Sequence, residues 1–269
     1  MLFLGAGVSA SAVDQDGKRP KSWVQFLLDA CTLVKDAEKQ TKIKSLIDER
    51  RYLLALEAIA IESDAGDYQQ FLSREFNNPN FSPSKLHEAI LGIDSRIVIT
   101  TNFDKIYERL CLGSGSEGYK VLPYYSDSLG DELRSDTRII IKAHGTIDDV
   151  KKMVFTKSEY HEAKKNHPDF YTMLRAIFLT NTAIFLGCSL DDPDLLLTLE
   201  DVRITASGTR PHYILVLNGA NSSWELRDWQ KSYNIKAIEY GPAYDDLTTA
   251  LQDLRNRVAT LRSSKPEPT

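Results

Sequence analysis

The sequence predicts an α/β fold: a Rossmann-like, doubly wound, mostly parallel sheet of about six strands, with a helical insertion after the first strand. Three observations predict it. Short apolar runs rich in β-branched residues alternate along the chain with longer stretches of helical periodicity. The first run, Leu2-Phe3-Leu4, reads as a buried strand that turns sharply at two glycines. Most runs end in Gly, Ser, Thr, Asn, Asp or His, at the carboxyl ends beyond which parallel sheets bind ligands.

The first strand is Leu2-Phe3-Leu4, which turns at Gly5-Ala6-Gly7-Val8-Ser9. Gly5 lets the chain leave the strand. Gly7 is expected to let the backbone approach a pyrophosphate with no Cβ in the way, and Ser9 to donate its hydroxyl or cap the helix start. The third glycine of the dinucleotide fingerprint is absent, so this turn alone does not define a nucleotide site. Residues 14–20 are a polar loop punctuated by Gly17 and Pro20. Ser22 then caps a helix with Trp23, Phe26, Leu27 and Ala30 on one face. Helical patterns continue through Ile43, Leu46 and Ile47, then residues 52–61 and 68–76; Asn77-Asn78-Pro79-Asn80 breaks them, and residues 84–91 form one more helix. Such a block is long for a crossover, and residues 22–92 are read as an insertion over the sheet edge.

Residues 96–100 form the second strand, followed by a helix with Ile106, Tyr107 and Leu110 inward and a flexible Gly/Ser loop at 113–118. Residues 138–142 are the third strand, 182–186 the fourth, 212–217 the fifth and 235–240 the sixth. Helical patterns fill 159–179, 194–204 and 244–261. One domain is expected over residues 1–262, with a disordered polar tail at 263–269.

Composition narrows the function. A chain of 269 residues with 42% hydrophobic and 26% charged content is an ordinary globular protein. A net charge of −5 argues against direct nucleic-acid binding by bulk electrostatics. Cys31, Cys111 and Cys188 form no Cys-x-x-Cys pair, which points to a reducing, cytoplasmic setting and excludes a cysteine-only four-ligand zinc site within these residues. No apolar run approaches the ~20 residues that span a bilayer, so no membrane association is expected.

Four strand ends carry the chemistry: Gly5 to Ser9, Thr101-Asn102-Phe103-Asp104, Ala143-His144-Gly145 and Gly187-Cys188-Ser189-Leu190. Each has a plainer reading. Asn102 and Asp104 suit capping of the next helix, His144 suits a core-edge histidine bonded to a carbonyl, and Asp191, Asp192 and Asp194 suit a helix N-terminus.

Taken together and in order, these segments resemble the sirtuin (silent-information-regulator) family. Gly5 to Ser9 matches its Gly-Ala-Gly-x-Ser turn, Thr101 to Asp104 is similar to its Gln-Asn-Ile-Asp segment, His144-Gly145 to its catalytic His-Gly pair, and Gly187 to Leu190 to its Gly-Thr-Ser-Leu segment. Two departures stand out. The zinc-binding Cys-x-x-Cys pairs and the Asp-Phe-Arg triplet are missing, as in the zinc-less bacterial branch of NAD-consuming antiphage effectors. The resemblance implies NAD+ as substrate, no zinc, and cleavage to nicotinamide and ADP-ribose. It implies Asn102, His144 and Asp104 as catalytic residues, and Gly5, Ala6, Gly7, Ser9, Thr101, Gly187, Ser189 and Asp192 as NAD+-binding residues. It also implies a homo-oligomer and a separate defence partner, an ATPase or an Argonaute-like protein. A protein deacylase and a non-catalytic NAD+ or ADP-ribose sensor are the alternatives.

Overall fold

The computed structural model describes residues 1–77, 81–113, 118–190, 193–206 and 208–264. Strand β1 (Leu2–Leu4) leads into a single helical turn, α1 (Ala6–Ser9). Five helices follow: α2 (Trp23–Cys31), α3 (Ala37–Asp48), α4 (Tyr52–Glu62), α5 (Ala65–Phe76) and α6 (Lys85–Gly92). Then come β2 (Ile97–Thr100), α7 (Ile106–Gly113), β3 (Lys120–Pro123), α8 (Leu129–Arg134) and β4 (Ile139–Lys142). A 3₁₀ turn (Ile147–Lys152) precedes α9 (Lys157–Asn166) and α10 (Pro168–Thr180). The chain continues through β5 (Ile184–Leu186), α11 (Pro193–Thr205), β6 (His212–Leu217), α12 (Ser223–Tyr233), β7 (Ile235–Tyr240) and α13 (Asp246–Ser263).

All the strand pairings are parallel, and the sheet order is β3-β4-β2-β1-β5-β6-β7. The chain fills the β2 side of β1 first, with β3 at the edge and β4 entering between β3 and β2, then returns to add β5 on the other side. The topological switch therefore falls between β1 and β5, where a doubly wound sheet opens a crevice. Alternate residues of each central strand enter different cores. Phe3, Ile99, Ile141 and Phe185 pack on one face, and Leu2, Leu4, Val98, Ile140 and Leu186 on the other. Period-two alternation with both faces apolar gives the unbroken hydrophobic runs seen in the sequence. A third core sits inside the helical block, where Phe26, Leu27, Leu56, Ile59, Phe71 and Leu72 pack against Phe103, Met153 and Phe155.

The doubly wound parallel architecture stands as expected, with corrections of detail. Among the described residues the sheet has seven strands, because Lys120–Pro123 forms an edge strand whose Val121 pairs with Ile140. The long pattern over 159–179 is two helices: Pro168 holds His167 at φ −129°, ψ 55°, outside the helical region. On α7 the inward residues are Ile106, Tyr107, Glu108 and Cys111, with Leu110 only half-buried. Helix α13 carries its last turn to Ser263. The breaker residues Asn78, Pro79 and Asn80, the loop at 114–117, the acidic pair Asp191 and Asp192, and tail residues 265–269 lie outside the described residues.

Candidate active site

The strand ends meet the helical block across a cleft of about 810 Å³. Its floor holds Gly5, Ala6, Gly7, Ser9, Thr101, Asn102, Asp104, His144, Gly187 and Ser189, so the structure brings every described sequence-predicted site residue to one place. Asp192 lies outside the described residues.

The glycines act differently from the simple expectation. A Cβ on Gly5 would stand 2.5 Å from the Gly187 carbonyl oxygen, and one on Gly7 would stand 2.9 Å from Gly187 Cα. Gly187 itself has φ +63°, and its own Cβ would lie 2.5 Å from the Val8 nitrogen. The three glycines let the β1 turn and the β5 turn touch backbone to backbone at the switch point. Hydrogen bonds seal that contact, with the Gly5 N–H donating to the Leu186 carbonyl and the Gly7 N–H to the Gly187 carbonyl, both at 2.9 Å. The Val8 N–H donates to the Gly5 carbonyl. The Gly7 and Val8 N–H groups are thus committed, and Ala6 is exposed among the residues that line the cleft.

Ser9 does not cap the helix start. It ends α1, is buried, and donates its hydroxyl to Asp104 Oδ2 at 2.6 Å. Asn102 Nδ2 donates to the Gly5 carbonyl at 2.9 Å and to Ser9 Oγ at 3.0 Å. A carbonyl only accepts, so the amide is fixed with its NH₂ toward Gly5 and both hydrogens spent. Asn102 Oδ1 remains as an oriented acceptor in the cleft. Asp104 has the capping bond as well, its Oδ1 accepting from the Ile106 N–H at 2.9 Å. With both oxygens engaged, Asp104 orders the loop between β2 and α7 and holds Ser9.

Beneath this loop lies a feature that sequence reasoning missed. Lys142, only 1% exposed at the end of β4, donates to the Asp104 carbonyl at 2.6 Å and pairs with Glu108 on α7. Burial pushes the Glu108 carboxyl above its ordinary range, against the opposing pull of Lys142. A signal existed: a lysine closing an otherwise apolar central strand has to be paired.

His144 follows β4 and is half-buried. Its carbonyl accepts from the Val154 N–H at 2.9 Å, and the chain turns sharply at Gly145, φ +86°, where a Cβ would meet the Lys152 carbonyl. The Tyr160 hydroxyl lies 3.2 Å from His144 Nε2 and 3.4 Å from Nδ1. One wall of the cleft is aromatic. Phe103 and Phe155 stack at 4.1 Å between centroids, Phe76 leans on both at 5.2 and 5.6 Å, and Trp23 stacks on Phe26 at 5.2 Å. The rim adds Lys18 and Arg19 from the polar loop, cations suited to a phosphate-bearing ligand. The sequence reading passed over both, because a charged loop looks the same whether or not it borders a cleft.

A glycine-lined crevice at the switch point of a doubly wound parallel sheet, rimmed by cations and walled by aromatic rings, is the place where α/β proteins of this class bind ligands. The chain belongs to the SIR2-like domain family, whose model matches residues 96–238. The matched span includes the Thr101–Asp104, His144–Gly145 and Gly187–Ser189 segments. The chain is 30% identical over 224 residues to NAD(+) hydrolase ThsA of Enterococcus faecium, covering 80% of this chain and 42% of that protein. It is 25% identical over 222 residues to NAD(+) hydrolase ThsA of Cytobacillus dafuensis, covering 79% and 40%. Defense-associated sirtuin 2 of Bacillus subtilis is 25% identical over 136 residues, 48% of this chain and 13% of that protein. The chain thus spans less than half the length of these curated relatives.

Among the described residues no group of His, Cys, Asp or Glu is arranged to hold a metal ion, and no helix is long and apolar enough to cross a membrane.

Proposed function

We propose that this cleft binds NAD+ and that the chain hydrolyses its nicotinamide–ribose bond, releasing nicotinamide and ADP-ribose. The observation that carries the reading is the Asn102 amide, its NH₂ spent on Gly5 and Ser9 and its Oδ1 held as an acceptor in the same cleft as His144. Three relatives named NAD(+) hydrolase or defence-associated sirtuin support it.

The chemistry asks little of a general acid. Nicotinamide leaves as a neutral base once the C1′–N bond pair moves onto its cationic ring nitrogen, through an oxocarbenium-like state. The site must orient the ribose, admit water to C1′ and stabilise positive charge as it develops. Asn102 Oδ1 would accept from a ribose hydroxyl or from the attacking water. His144, as neutral imidazole, would take the proton that water loses as its oxygen bonds to C1′. Asp104 positions Ser9 and Asn102. The aromatic wall formed by Phe76, Phe103 and Phe155 suits the flat rings of the substrate, and Lys18 and Arg19 its pyrophosphate.

We further infer a cytoplasmic, homo-oligomeric effector that depletes NAD+ in bacterial antiphage defence and is restrained by a separate partner. The relatives' names motivate this, and uncontrolled NAD+ loss would harm the host. The test of the activity is chromatographic separation of products after incubation with NAD+. Wild type is expected to release nicotinamide, and Asn102→Ala and His144→Ala to lower release by roughly a hundredfold or more with unchanged circular dichroism. Undiminished release by either variant would strike that residue from the mechanism. Turnover only when an acylated peptide is added would replace hydrolysis by deacylation.

A further inference from the structure

The geometry points to Tyr160 as the positioning residue for His144, its hydroxyl holding the plane of the imidazole through the reaction. The inference rests on the reading of His144 as the proton acceptor, and it names the residue on which that acceptor depends.

The tyrosine is out of place by hydrophobicity alone. Tyr160 is 9% exposed and belongs to the apolar core that holds Phe3, Ala143, Phe170, Leu174 and Leu195, an environment in which phenylalanine would serve. A hydroxyl there needs a hydrogen-bond partner, and it finds the His144 ring. The two rings stand nearly perpendicular, at 85° with centroids 5.1 Å apart. The hydroxyl lies within reach of both ring nitrogens, 3.2 Å from Nε2 and 3.4 Å from Nδ1. From there it resists rotation of the ring about the Cβ–Cγ bond. A phenol O–H both donates and accepts, so it pairs with the bare nitrogen of neutral imidazole and, after proton uptake, with an N–H of imidazolium.

The position of Tyr160 is itself over-determined. It lies in the first turn of α9, which opens on a capping box. Thr156 Oγ1 accepts from the Glu159 N–H at 3.3 Å, and Glu159 Oε2 accepts from the Thr156 and Phe155 N–H groups, both at 2.8 Å. Glu57 of α4 reaches the same turn, accepting from the Ser158 hydroxyl at 2.6 Å and the Ser158 N–H at 3.2 Å. Helical block and sheet thus both fix the helix that carries the tyrosine. A catalytic group gains from such support, because a small misplacement of the base is costly in rate.

Tyr160→Phe removes one oxygen and keeps the buried ring, so the variant is expected to fold as wild type does. Two readouts are taken together: NAD+ kinetics, and the His144 ring-nitrogen shifts in protein carrying ¹⁵N-labelled histidine, assigned with His144→Ala. The expected result is a roughly tenfold fall in kcat with KM for NAD+ within about twofold, accompanied by shifted His144 nitrogens. A kcat within about twofold of wild type overturns the inference, and so does a lower kcat with the His144 nitrogens unmoved. If His144→Ala is as active as wild type, the catalytic reading of His144 fails instead. The nitrogen shifts still report, in that event, whether Tyr160 holds the imidazole.

Discussion

Acid should unfold this protein earlier than its carboxylates alone would, through two histidines buried away from the cleft. His87 is fully buried on α6, and His212 is 3% exposed at the start of β6. Each accepts a backbone hydrogen bond at Nδ1, His87 from the Ser84 N–H at 3.2 Å and His212 from the Ala183 N–H at 3.1 Å. That bond fixes the neutral tautomer with its proton on Nε2, and protonation of Nδ1 destroys it. Burial drives both rings down to about 4. The sign follows directly. The folded value lies below the unfolded one, so the unfolded chain takes up protons first, and stability complete above about pH 6.5 is lost as pH falls toward about 4. Linkage between those values costs about 2 kcal/mol per histidine at about pH 5, hence about 4 kcal/mol for the pair relative to about pH 7.5. Urea unfolding followed by tryptophan fluorescence at a series of pH values measures this. His87→Gln starts less stable at neutral pH, because it disturbs the capping box on Ser84, but its further loss on acidification should be smaller than wild type's by about 2 kcal/mol. A wild type that loses under about 1 kcal/mol over that range, or a variant that loses as much as wild type, refutes the reasoning.

Two substitutions probe the framework of the site. Gly5→Ala drives a Cβ to 2.5 Å from the Gly187 carbonyl and 2.8 Å from Cys188 Sγ, so it should part the β1 and β5 turns. NAD+ affinity by calorimetry should fall at least about tenfold and stability by about 1–3 kcal/mol, while Gly118→Ala, where a Cβ meets nothing within 4 Å, does neither; equal effects at both positions would refute the packing account. Lys142→Met leaves Glu108 buried without its cation and should cost about 3–5 kcal/mol in urea unfolding, most of it recovered in the double variant Lys142→Met/Glu108→Leu. A double variant no more stable than the single one would show that the pair is not coupled.

What the sequence discloses depends on how local the cause is. The central strands were legible because burial on both faces makes them continuous apolar runs, and the polar residues that end β1, β2, β4 and β5 mark the carboxyl side of the sheet. Edge strand β3 was not, since four residues that include an exposed lysine and a proline pair on one side only and carry little hydrophobic signal. The break at Pro168 was legible in principle and hidden by the apolar periodicity running through it. Glu108 and Lys142 stand 34 positions apart and Gly5 and Gly187 far further, so neither relation exists until the fold brings the segments together. The same holds for the glycines: a local motif suggested clearance for a phosphate, whereas the Cβ directions give clearance for another stretch of backbone.

These distant pairings form one chain of bonds. Lys142 Nζ holds the Asp104 carbonyl, Asp104 Oδ2 accepts from Ser9 Oγ, and Ser9 Oγ accepts from Asn102 Nδ2, which also donates to the Gly5 carbonyl. Each donor along it has a defined acceptor, so the Asn102 amide cannot turn over without leaving Ser9 or Gly5 facing an oxygen in place of an N–H. A buried ion pair at the end of β4 and a glycine contact at the switch point therefore fix the same side chain from opposite ends. The orientation of Asn102 Oδ1 is a property of the fold, and under the proposed mechanism a site organised in this way would stabilise developing charge without rearranging at the moment of reaction.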